Sequence, residues 1–348
     1  MPMNRHLIDK LADGGELTRQ ELARLITDDS REIAAYLAER ANAAREQIYG
    51  RQVFIRGLIE FTNYCRNDCY YCGIRRSNDA VSRYRLTEGQ ILDCCRQGYD
   101  LGFRTFVLQG GEDPYWTDER TCQVVSAIRQ SYPDCAITLS MGERSRESYQ
   151  KLFDAGADRY LLRHETADSE HYSRLHPAEL SLAHRLSCLQ ALKEIGFQTG
   201  CGFMVGSPYQ TIDHLVEDLC LIREFKPQMV GIGPFLPAAN TPFEREPAGS
   251  SELTIKLLSI VRLLHPRVLL PATTALGTAE HDGRERGILA GANVIMPNLS
   301  PLEVREKYLL YDGKIATGDE AAESIRHLTA SMKKIGYEIV TARGDYLV

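Results

Sequence analysis

The sequence lacks several features that mark other classes of protein. It has no basic run, and its formal net charge is −6, so we do not expect nucleic acid as a partner. The first residues, MPMNRHLIDKLADGG, alternate charged and apolar residues and lack the apolar core of a secretory signal. The most apolar stretches, such as SIVRLLHPRVLLP, contain Arg and His and are too short to span a bilayer. These absences favour a cytoplasmic protein without a membrane partner.

The cysteines are too few for a disulfide scaffold, with ten in 348 residues, and we expect them to be reduced thiols or metal ligands. Three of them, Cys65, Cys69 and Cys72, stand in TNYCRNDCYYCGIRR with no fourth cysteine nearby. A structural zinc site would normally be completed by a fourth Cys or His, yet the nearest downstream histidine is His164. A [4Fe-4S] cluster held by three thiolates would instead keep one iron open for a ligand that is not protein.

Strand-like runs alternate with amphipathic helical windows along most of the chain, and this alternation is typical of a parallel sheet. At this length, eight such runs predict a (β/α)8 TIM barrel, with a doubly wound open sheet as the alternative. We expect an N-terminal helical extension at 1–50, the barrel at 51–313, and a C-terminal helical segment packed on the barrel at 314–348. The predicted strands are 53–61, 104–109, 136–140, 159–165, 199–205, 229–235, 267–272 and 292–297.

Polar and Gly/Pro residues follow the predicted strands, and in a barrel these strand ends meet at the rim that carries the chemistry. The cysteine loop follows the first strand, and the turn Gly110-Gly111-Glu112 follows the second. Glu165 stands at the end of the fourth strand. We therefore expect the cysteines, this turn and Glu165 to lie close together.

Tyr71 stands directly before the third cysteine, so the motif is C-x3-C-x-aromatic-C. Together with the Gly-Gly-Glu turn, this motif resembles that of the radical S-adenosylmethionine (SAM) enzymes. The resemblance implies that Cys65, Cys69 and Cys72 hold one [4Fe-4S] cluster and that SAM chelates the open iron. It also implies the (β/α)8 barrel of radical SAM type and a set of SAM-binding residues: Tyr71, Gly110, Gly111, Glu112, Glu165 and Arg185.

Two of these residues have plainer alternatives. By the resemblance, Glu165 holds the SAM amine and Arg185 pairs with the SAM carboxylate, for which a planar guanidinium is suited. Alternatively, Glu165 is a carboxylate of the barrel rim that pairs with Arg163. Arg185 is then a surface residue of the fourth helix.

Longer stretches, including RGLIEFTNYC, GADRYLLRHET, PATTALGT and GANVIMPN, resemble the HydE family of [FeFe]-hydrogenase maturases. The resemblance implies reductive cleavage of SAM to a 5′-deoxyadenosyl radical that acts on an organometallic iron–cysteine precursor carrying CO and CN. The implied partners are an external one-electron reductant, a tyrosine lyase maturase and a scaffold GTPase. Alternatives are a carbon-skeleton mutase similar to methylornithine synthase, and a catalytically inactive iron–sulfur barrel. No cysteine follows Cys220, so we expect a single cluster.

The same resemblance implies substrate-binding residues around the barrel cavity: Thr138, Arg159, Met229, Thr273, Thr274, Tyr308 and Tyr311. Arg159 precedes Glu165 by six residues, so the two would share one strand face. A buried cation is costly without an anionic partner, so Arg159 predicts an anionic or metal-bound substrate. Tyr308 and Tyr311 have the spacing of one helical face, with core packing as the alternative.

The histidines His171, His176 and His184 show no ligand spacing with cysteine or carboxylate. We expect them on the surface or on helix faces, without a role in the site.

Overall fold

The computed structural model describes residues 4–315 and 321–347, and it begins with helices where the sequence predicts a helical extension. Thr18 starts the second of these helices with a reciprocal capping box to Glu21, which satisfies two amide groups at the helix end. The helices preceding the sheet are α1 (Arg5–Ala12), α2 (Arg19–Thr27) and α3 (Arg31–Tyr49).

Strands and helices then alternate, as the sequence predicts. The strands are β1 (Gln52–Ile55), β2 (Gly57–Thr62), β3 (Thr105–Gly110), β4 (Ala136–Ser140), β5 (Arg159–Leu161), β6 (Gln198–Cys201), β7 (Met204–Val205), β8 (Met229–Val230), β9 (Gly233–Pro234), β10 (Val294–Ile295) and β11 (Glu338–Val340). The remaining helices are α4 (Glu88–Asp100), α5 (Asp118–Ser131), α6 (Arg146–Asp154), α7 (Ser169–Leu175), α8 (Leu182–Ile195), α9 (Ile212–Phe225), α10 (Ser251–Leu264), α11 (Thr274–Ala279), α12 (Gly283–Leu289), α13 (Leu302–Arg305) and α14 (Ala321–Lys334).

The parallel sheet closes on itself. Its six-stranded part has the order β2-β3-β4-β5-β6-β8. Isolated bridges Met229–Leu269, Pro271–Val294 and Leu58–Asn298 continue the ring from β8 back to β2. The predicted barrel is thus confirmed and the open sheet is wrong, although 267–272 forms only bridges and 292–297 contains only the short β10.

The C-terminal segment differs from the helical segment that the sequence predicts. It contains α14, but it continues into β11, which pairs in parallel with β1 at Gln52–Glu338 and Phe54–Val340. The chain then crosses under the barrel at residues 343–345, where Gly344 adopts a φ of +56° and lies against the ring of Phe54. The segment therefore closes the base of the barrel.

The strands of the six-stranded part are largely buried between the helices and the barrel interior, as is usual in parallel sheets, whereas β11 is partly exposed. The core is rich in Ile, Leu, Val and Phe, and it extends to the N-terminal helices through Leu7, Leu22 and Leu37. Among the described residues, we find no helix whose length and apolar character would let it cross a membrane.

Candidate active site at the C-terminal rim of the barrel

The three motif cysteines follow β2 and line one cavity of about 280 Å³ at the C-terminal ends of the strands. Burial, together with the neighbouring Cys65, raises the pKa of Cys72 to about 12. Burial and the two other thiols also raise the pKa of Cys69 well above its ordinary value. Three thiolates here would repel one another, and a bound cationic group would relieve that repulsion.

The Gly-Gly-Glu turn follows β3 and packs directly on the cysteine loop. A Cβ at Gly111 would lie 2.2 Å from the Tyr64 carbonyl oxygen and 2.7 Å from Cys65 Cβ, so only glycine fits. The Glu112 side chain accepts hydrogen bonds from the Glu143 amide at 2.8 Å and from Arg66 Nε at 3.0 Å. This carboxylate therefore holds neighbouring loops together beside the cavity.

Glu165 lines the same cavity and adopts a left-handed backbone with a φ of 66°. Such a conformation is strained for a residue with a side chain, and strain of this kind concentrates at functional sites. Its Oε2 lies 3.2 Å from Arg163 Nη2, but the geometry is not that of a hydrogen bond, and both atoms are buried without a hydrogen-bond partner. The contact with Arg163 exists, and it still leaves Glu165 able to bind a ligand.

Arg185 projects from α8 into this cavity and is 8% exposed, so the alternative of a surface residue is wrong. Its Nε donates to Glu143 Oε1 at 2.5 Å, and its Nη1 donates to the Arg163 carbonyl at 3.0 Å. Burial disfavours the charged guanidinium, but Tyr172 and Glu143 outweigh it and raise the pKa of Arg185 well above its ordinary value. Arg185 therefore stays a cation.

A second cavity of about 130 Å³ lies deeper in the barrel and shares Gln109, Leu161, Arg163, Leu310 and Tyr311 with the first. We call this deeper cavity the chamber. The two spaces are contiguous, so a group at the cysteines faces a group in the chamber. Of the residues that the sequence predicts for the substrate, those lining the chamber are Thr138, Met229, Thr273, Thr274 and Tyr311, while Tyr308 lines the first cavity.

Comparisons with known proteins agree with this geometry. The family model of the radical SAM superfamily matches residues 59–222. The [FeFe] hydrogenase maturase subunit HydE of Thermotoga maritima is 43% identical over 332 residues, which cover 95% of this chain and 94% of that protein. The chain belongs to the radical SAM superfamily.

Two further relatives complete the comparison. The 3-methylornithine synthase of Methanosarcina acetivorans is 29% identical over 91% of this chain and 89% of its own. The crystal structure of methylornithine synthase (PylB) superposes with a TM-score of 0.86 at 28% identity, covering 96% of this chain and 97% of that chain.

Enzymes of the radical SAM superfamily use a [4Fe-4S] cluster and SAM, and the site fits this pair. Among the described residues, no group of three or more His, Cys, Asp or Glu side chains is placed to hold a single metal ion. The ligands of a cluster bind different irons, so the three thiols around one cavity suit a cluster and not a zinc ion. The unpartnered Glu165 Oε2 and the cationic Arg185 match the amino and carboxylate groups of SAM.

Arg159 does not face the chamber, so this prediction is wrong. Its guanidinium is fully buried at the base of the barrel, where it donates to Asp345 at 2.6 Å and to the carbonyls of Arg343 and Gly344 at 2.9 and 3.1 Å. Strand β5 ends at Leu161, so the alternation that would place Arg159 and Glu165 on one face does not continue to Glu165. Arg159 is a structural cation held by the C-terminal segment.

Four charged residues line the chamber, and the sequence predicted none of them for it: Arg56, Glu60, Arg163 and Lys314. Arg56 is buried; its Nη1 donates to Met229 Sδ at 3.0 Å, and its Nε and Nη2 have no hydrogen-bond partner. Burial and the nearby Arg159 lower its pKa well below the ordinary value. Lys314 Nζ contacts Glu60 Oε1 and donates to the Tyr308 carbonyl at 3.0 Å. The stretch RGLIEF carries a signal for two of them. Arg56, Leu58 and Glu60 stand two residues apart, so an extended chain points all three side chains to the same side.

The segment that carries Tyr308 and Tyr311 is not helical, because α13 ends at Arg305. Tyr308 and Tyr311 therefore do not share a helical face, and that prediction is wrong, although both rings line the site. His184 lies at the surface and His171 lies on a face of α7, as expected, although His171 is buried there at 1% exposure. The expectation is wrong for His176, which follows α7 and is also 1% exposed. His176 contacts the cysteine loop directly.

Proposed function

We propose that this chain is an [FeFe]-hydrogenase maturase of the HydE type. The observation that carries the proposal is the 43% identity with Thermotoga maritima HydE along nearly the whole length of both chains. The methylornithine synthase is less similar, at 29% identity over 91% of this chain. The proposed substrate is the organometallic iron–cysteine precursor carrying CO and CN that the sequence resemblance implies.

In this proposal, Cys65, Cys69 and Cys72 hold the cluster, and the residues around them bind SAM. When bound, the cluster and SAM supply a 5′-deoxyadenosyl radical by one-electron reductive cleavage. Glu165 Oε2 would accept hydrogen bonds from the SAM amine, and the Arg185 cation would pair with the SAM carboxylate. The remaining SAM-binding residues are Tyr71, Gly110, Gly111 and Glu112.

The apolar walls of the cavity exclude water from the reacting atoms. Leu161, Leu310 and Phe235 lie along the cavity, and the first two also line the chamber. The amide of Gly73 donates to the Leu310 carbonyl at 2.9 Å, which ties the cysteine loop to the segment over the chamber. A reactive radical needs such protection from stray hydrogen donors.

The charges of the chamber favour an anionic or metal-bound substrate. Arg56 and Arg163 each have buried nitrogen atoms without hydrogen-bond partners, whereas the carboxylate of Glu60 is already paired with Lys314 and Asn298. A buried cation without an anionic partner is costly, so an anionic ligand that reaches Arg56 gains a charge-assisted hydrogen bond. We propose that Arg56, and not Arg159, supplies the cation, and that Thr138, Met229, Thr273, Thr274, Tyr308 and Tyr311 surround the substrate.

The test is anaerobic turnover of the reconstituted protein with SAM, a one-electron reductant and a synthetic iron–cysteine–carbonyl–cyanide complex. We expect release of 5′-deoxyadenosine to increase with the complex and new EPR signals to develop. L-Lysine replaces the complex in a matched reaction. Formation of methylornithine from lysine, with no response to the iron complex, would make the chain a mutase instead. No deoxyadenosine under any condition would identify an inactive barrel.

Further parts of the proposal concern location and partners. Every cysteine of the described chain is a free thiol, in line with a reducing compartment, and we propose the cytoplasm. The proposed partners are an external one-electron reductant, the tyrosine lyase maturase that supplies the precursor, and the scaffold GTPase that receives the product.

A further inference from the structure

A buried histidine forms a hydrogen bond with the aromatic residue of the cysteine motif. The hydroxyl of Tyr71 lies 3.1 Å from His176 Nε2. The other ring nitrogen, Nδ1, lies 2.9 Å from the carbonyl oxygen of Tyr172. A carbonyl oxygen only accepts hydrogen bonds, so Nδ1 carries the proton.

The direction of the second hydrogen bond follows from the first. Burial lowers the pKa of His176 to about 3, so the ring is neutral near pH 7 and Nε2 carries a lone pair. Nε2 therefore accepts, and the Tyr71 hydroxyl must donate. A tyrosine hydroxyl has an ordinary pKa of about 10, so it carries the proton that this hydrogen bond needs.

The histidine is itself held firmly. Its ring stacks on that of Tyr172 with centroids 3.9 Å apart and planes inclined by 20°. Tyr172 lies in α7, and the carbonyl of Leu175 at the end of that helix accepts a hydrogen bond from the Tyr70 amide at 3.0 Å. The cysteine loop is thus attached to α7 by two hydrogen bonds from adjacent residues, one from the Tyr70 backbone and one from the Tyr71 side chain.

The same helix is anchored close to Glu165. Asp168 caps the N-terminus of α7 and accepts from the His171 amide at 2.8 Å. Only two residues separate this cap from Glu165. Since α7 spans seven residues, it connects Glu165 to the cysteine loop through a short, hydrogen-bonded segment.

We propose that His176 is a positioning residue: by accepting the hydrogen bond of Tyr71, it fixes that ring and the cysteine loop against the SAM site. His176 acts through Tyr71 and does not itself line the cavity. The inference rests on the proposed roles of the cysteine loop and Tyr71, and it does not depend on which substrate occupies the chamber.

Two substitutions separate the two hydrogen bonds of the histidine. In H176Q, the amide oxygen can take the place of Nε2 and accept from Tyr71. In H176N, the shorter amide nitrogen can still donate to the Tyr172 carbonyl, but no acceptor reaches Tyr71. Y71F removes the same hydrogen bond from the other side without changing α7.

The first measurement uses the cluster-free chain. We expect amide hydrogen exchange of residues 65–76 to accelerate in H176N and Y71F and to remain near the wild-type rate in H176Q. The second measurement is the SAM dissociation constant of the cluster-loaded protein. We expect a rise of about fivefold to tenfold in H176N, the size set by one lost hydrogen bond, with recovery in H176Q.

A double-mutant cycle decides whether His176 acts through Tyr71. We expect H176N to change the exchange rate and the SAM dissociation constant very little when Y71F is already present. The proposal would be overturned if amide hydrogen exchange were equal in H176N and wild type. It would also be overturned if H176N raised the SAM dissociation constant as much in the Y71F background as it does alone. If wild-type protein fails to bind SAM, the assignment of the SAM site fails, while the exchange measurement on the cluster-free chain still decides the role of His176.

Discussion

Asp345 Oδ1 lies 2.6 Å from Arg159 Nη2, and this pair joins the C-terminal segment to the fourth strand of the barrel sheet, β5. Arg159 is fully buried, whereas Asp345 is partly exposed, so water reaches one partner only. Arg159, which the sequence suggests as a substrate-binding cation, instead holds the C-terminal segment against the base of the barrel. Removing either charge should therefore affect stability more than SAM chemistry.

We predict that Arg159→Met lowers the free energy of unfolding of the cluster-free chain by about 1–3 kcal/mol. This loss is smaller than that expected on breaking a fully buried ion pair, because the Asp345 side chain is partly in water. Denaturant titration measures the change, and Asp345→Asn should lower stability in the same direction. An Arg159→Met protein of wild-type stability that loses only substrate turnover would restore the role of Arg159 in the chamber.

We predict the opposite pattern for Arg56→Met. The substitution removes a buried cation with two unpartnered nitrogen atoms, so the free energy of unfolding should stay unchanged or rise by about 1 kcal/mol. SAM binding and slow, uncoupled release of deoxyadenosine should persist, while the response to the iron complex should fall at least tenfold. A wild-type increase of deoxyadenosine release with the iron complex in this variant would show that Arg56 does not bind the substrate.

We predict that Cys65→Ala, Cys69→Ala and Cys72→Ala each abolish cluster incorporation and SAM cleavage together. Iron content, the visible absorption of the reconstituted protein and deoxyadenosine release measure the loss. Cys122→Ala serves as the control, because this thiol is half-buried near Lys151 and lies outside the cavity. Wild-type iron content in Cys65→Ala would contradict the assignment of the cluster.

We predict one cluster per chain, because the remaining cysteines lie singly or in the helical core and none follows Cys220. Anaerobically reconstituted protein should contain about four irons per chain and give one reduced EPR species. A reproducible value near twice this, with two species, would reveal a second site.

We predict that the cluster-free chain loses stability as the pH falls from about 6.5 towards 4. Burial lowers the pKa of His164 and His176 to about 3 and that of His265 to about 4. The unfolded chain takes up these protons near its ordinary histidine pKa, whereas the folded chain does not, so stability is present above that pKa and is lost below it. Each histidine contributes a slope of about 1.4 kcal/mol per pH unit.

The dependence of the free energy of unfolding on pH can be reduced by a substitution remote from the site. His265→Gln removes one of the three groups, and its amide nitrogen can take the place of Nε2 as donor to the Pro227 carbonyl, which lies 2.9 Å from His265 Nε2. Urea titrations at several pH values between 7 and 5 should then show a slope that is smaller by about one proton. A free energy of unfolding that does not change over this range would contradict the three lowered pKa values.

Most of the barrel could be predicted from the sequence, because strand-like runs and amphipathic windows alternate with a regular spacing. The last two strands were predicted too long, since near Leu269 and Val294 the chain makes only isolated bridges or a two-residue strand. The pairing of β11 with β1 could not be predicted. Its contacts join residues nearly the whole chain apart, and the segment was short and half-exposed.

The cysteine cavity was predictable because its residues follow successive strand ends, which a barrel brings to one rim. The residues of the chamber were less predictable from the sequence. The period of two from Arg159 to Glu165 requires a strand over the whole interval, and the backbone leaves the strand after Leu161. The buried positions of His171 and His176 depend on where α7 packs, which local spacing does not reveal.

The parallel pairing of β11 with β1 also has a consequence for the order of synthesis. Residues 338–345 follow the barrel strands in the sequence, so they leave the ribosome only after those strands are complete. Until then, β1 lacks one neighbour and the Arg159 cation lacks its carboxylate and carbonyl acceptors. The nascent barrel therefore stays open at its base, and its final closure follows translation of the C-terminal strand.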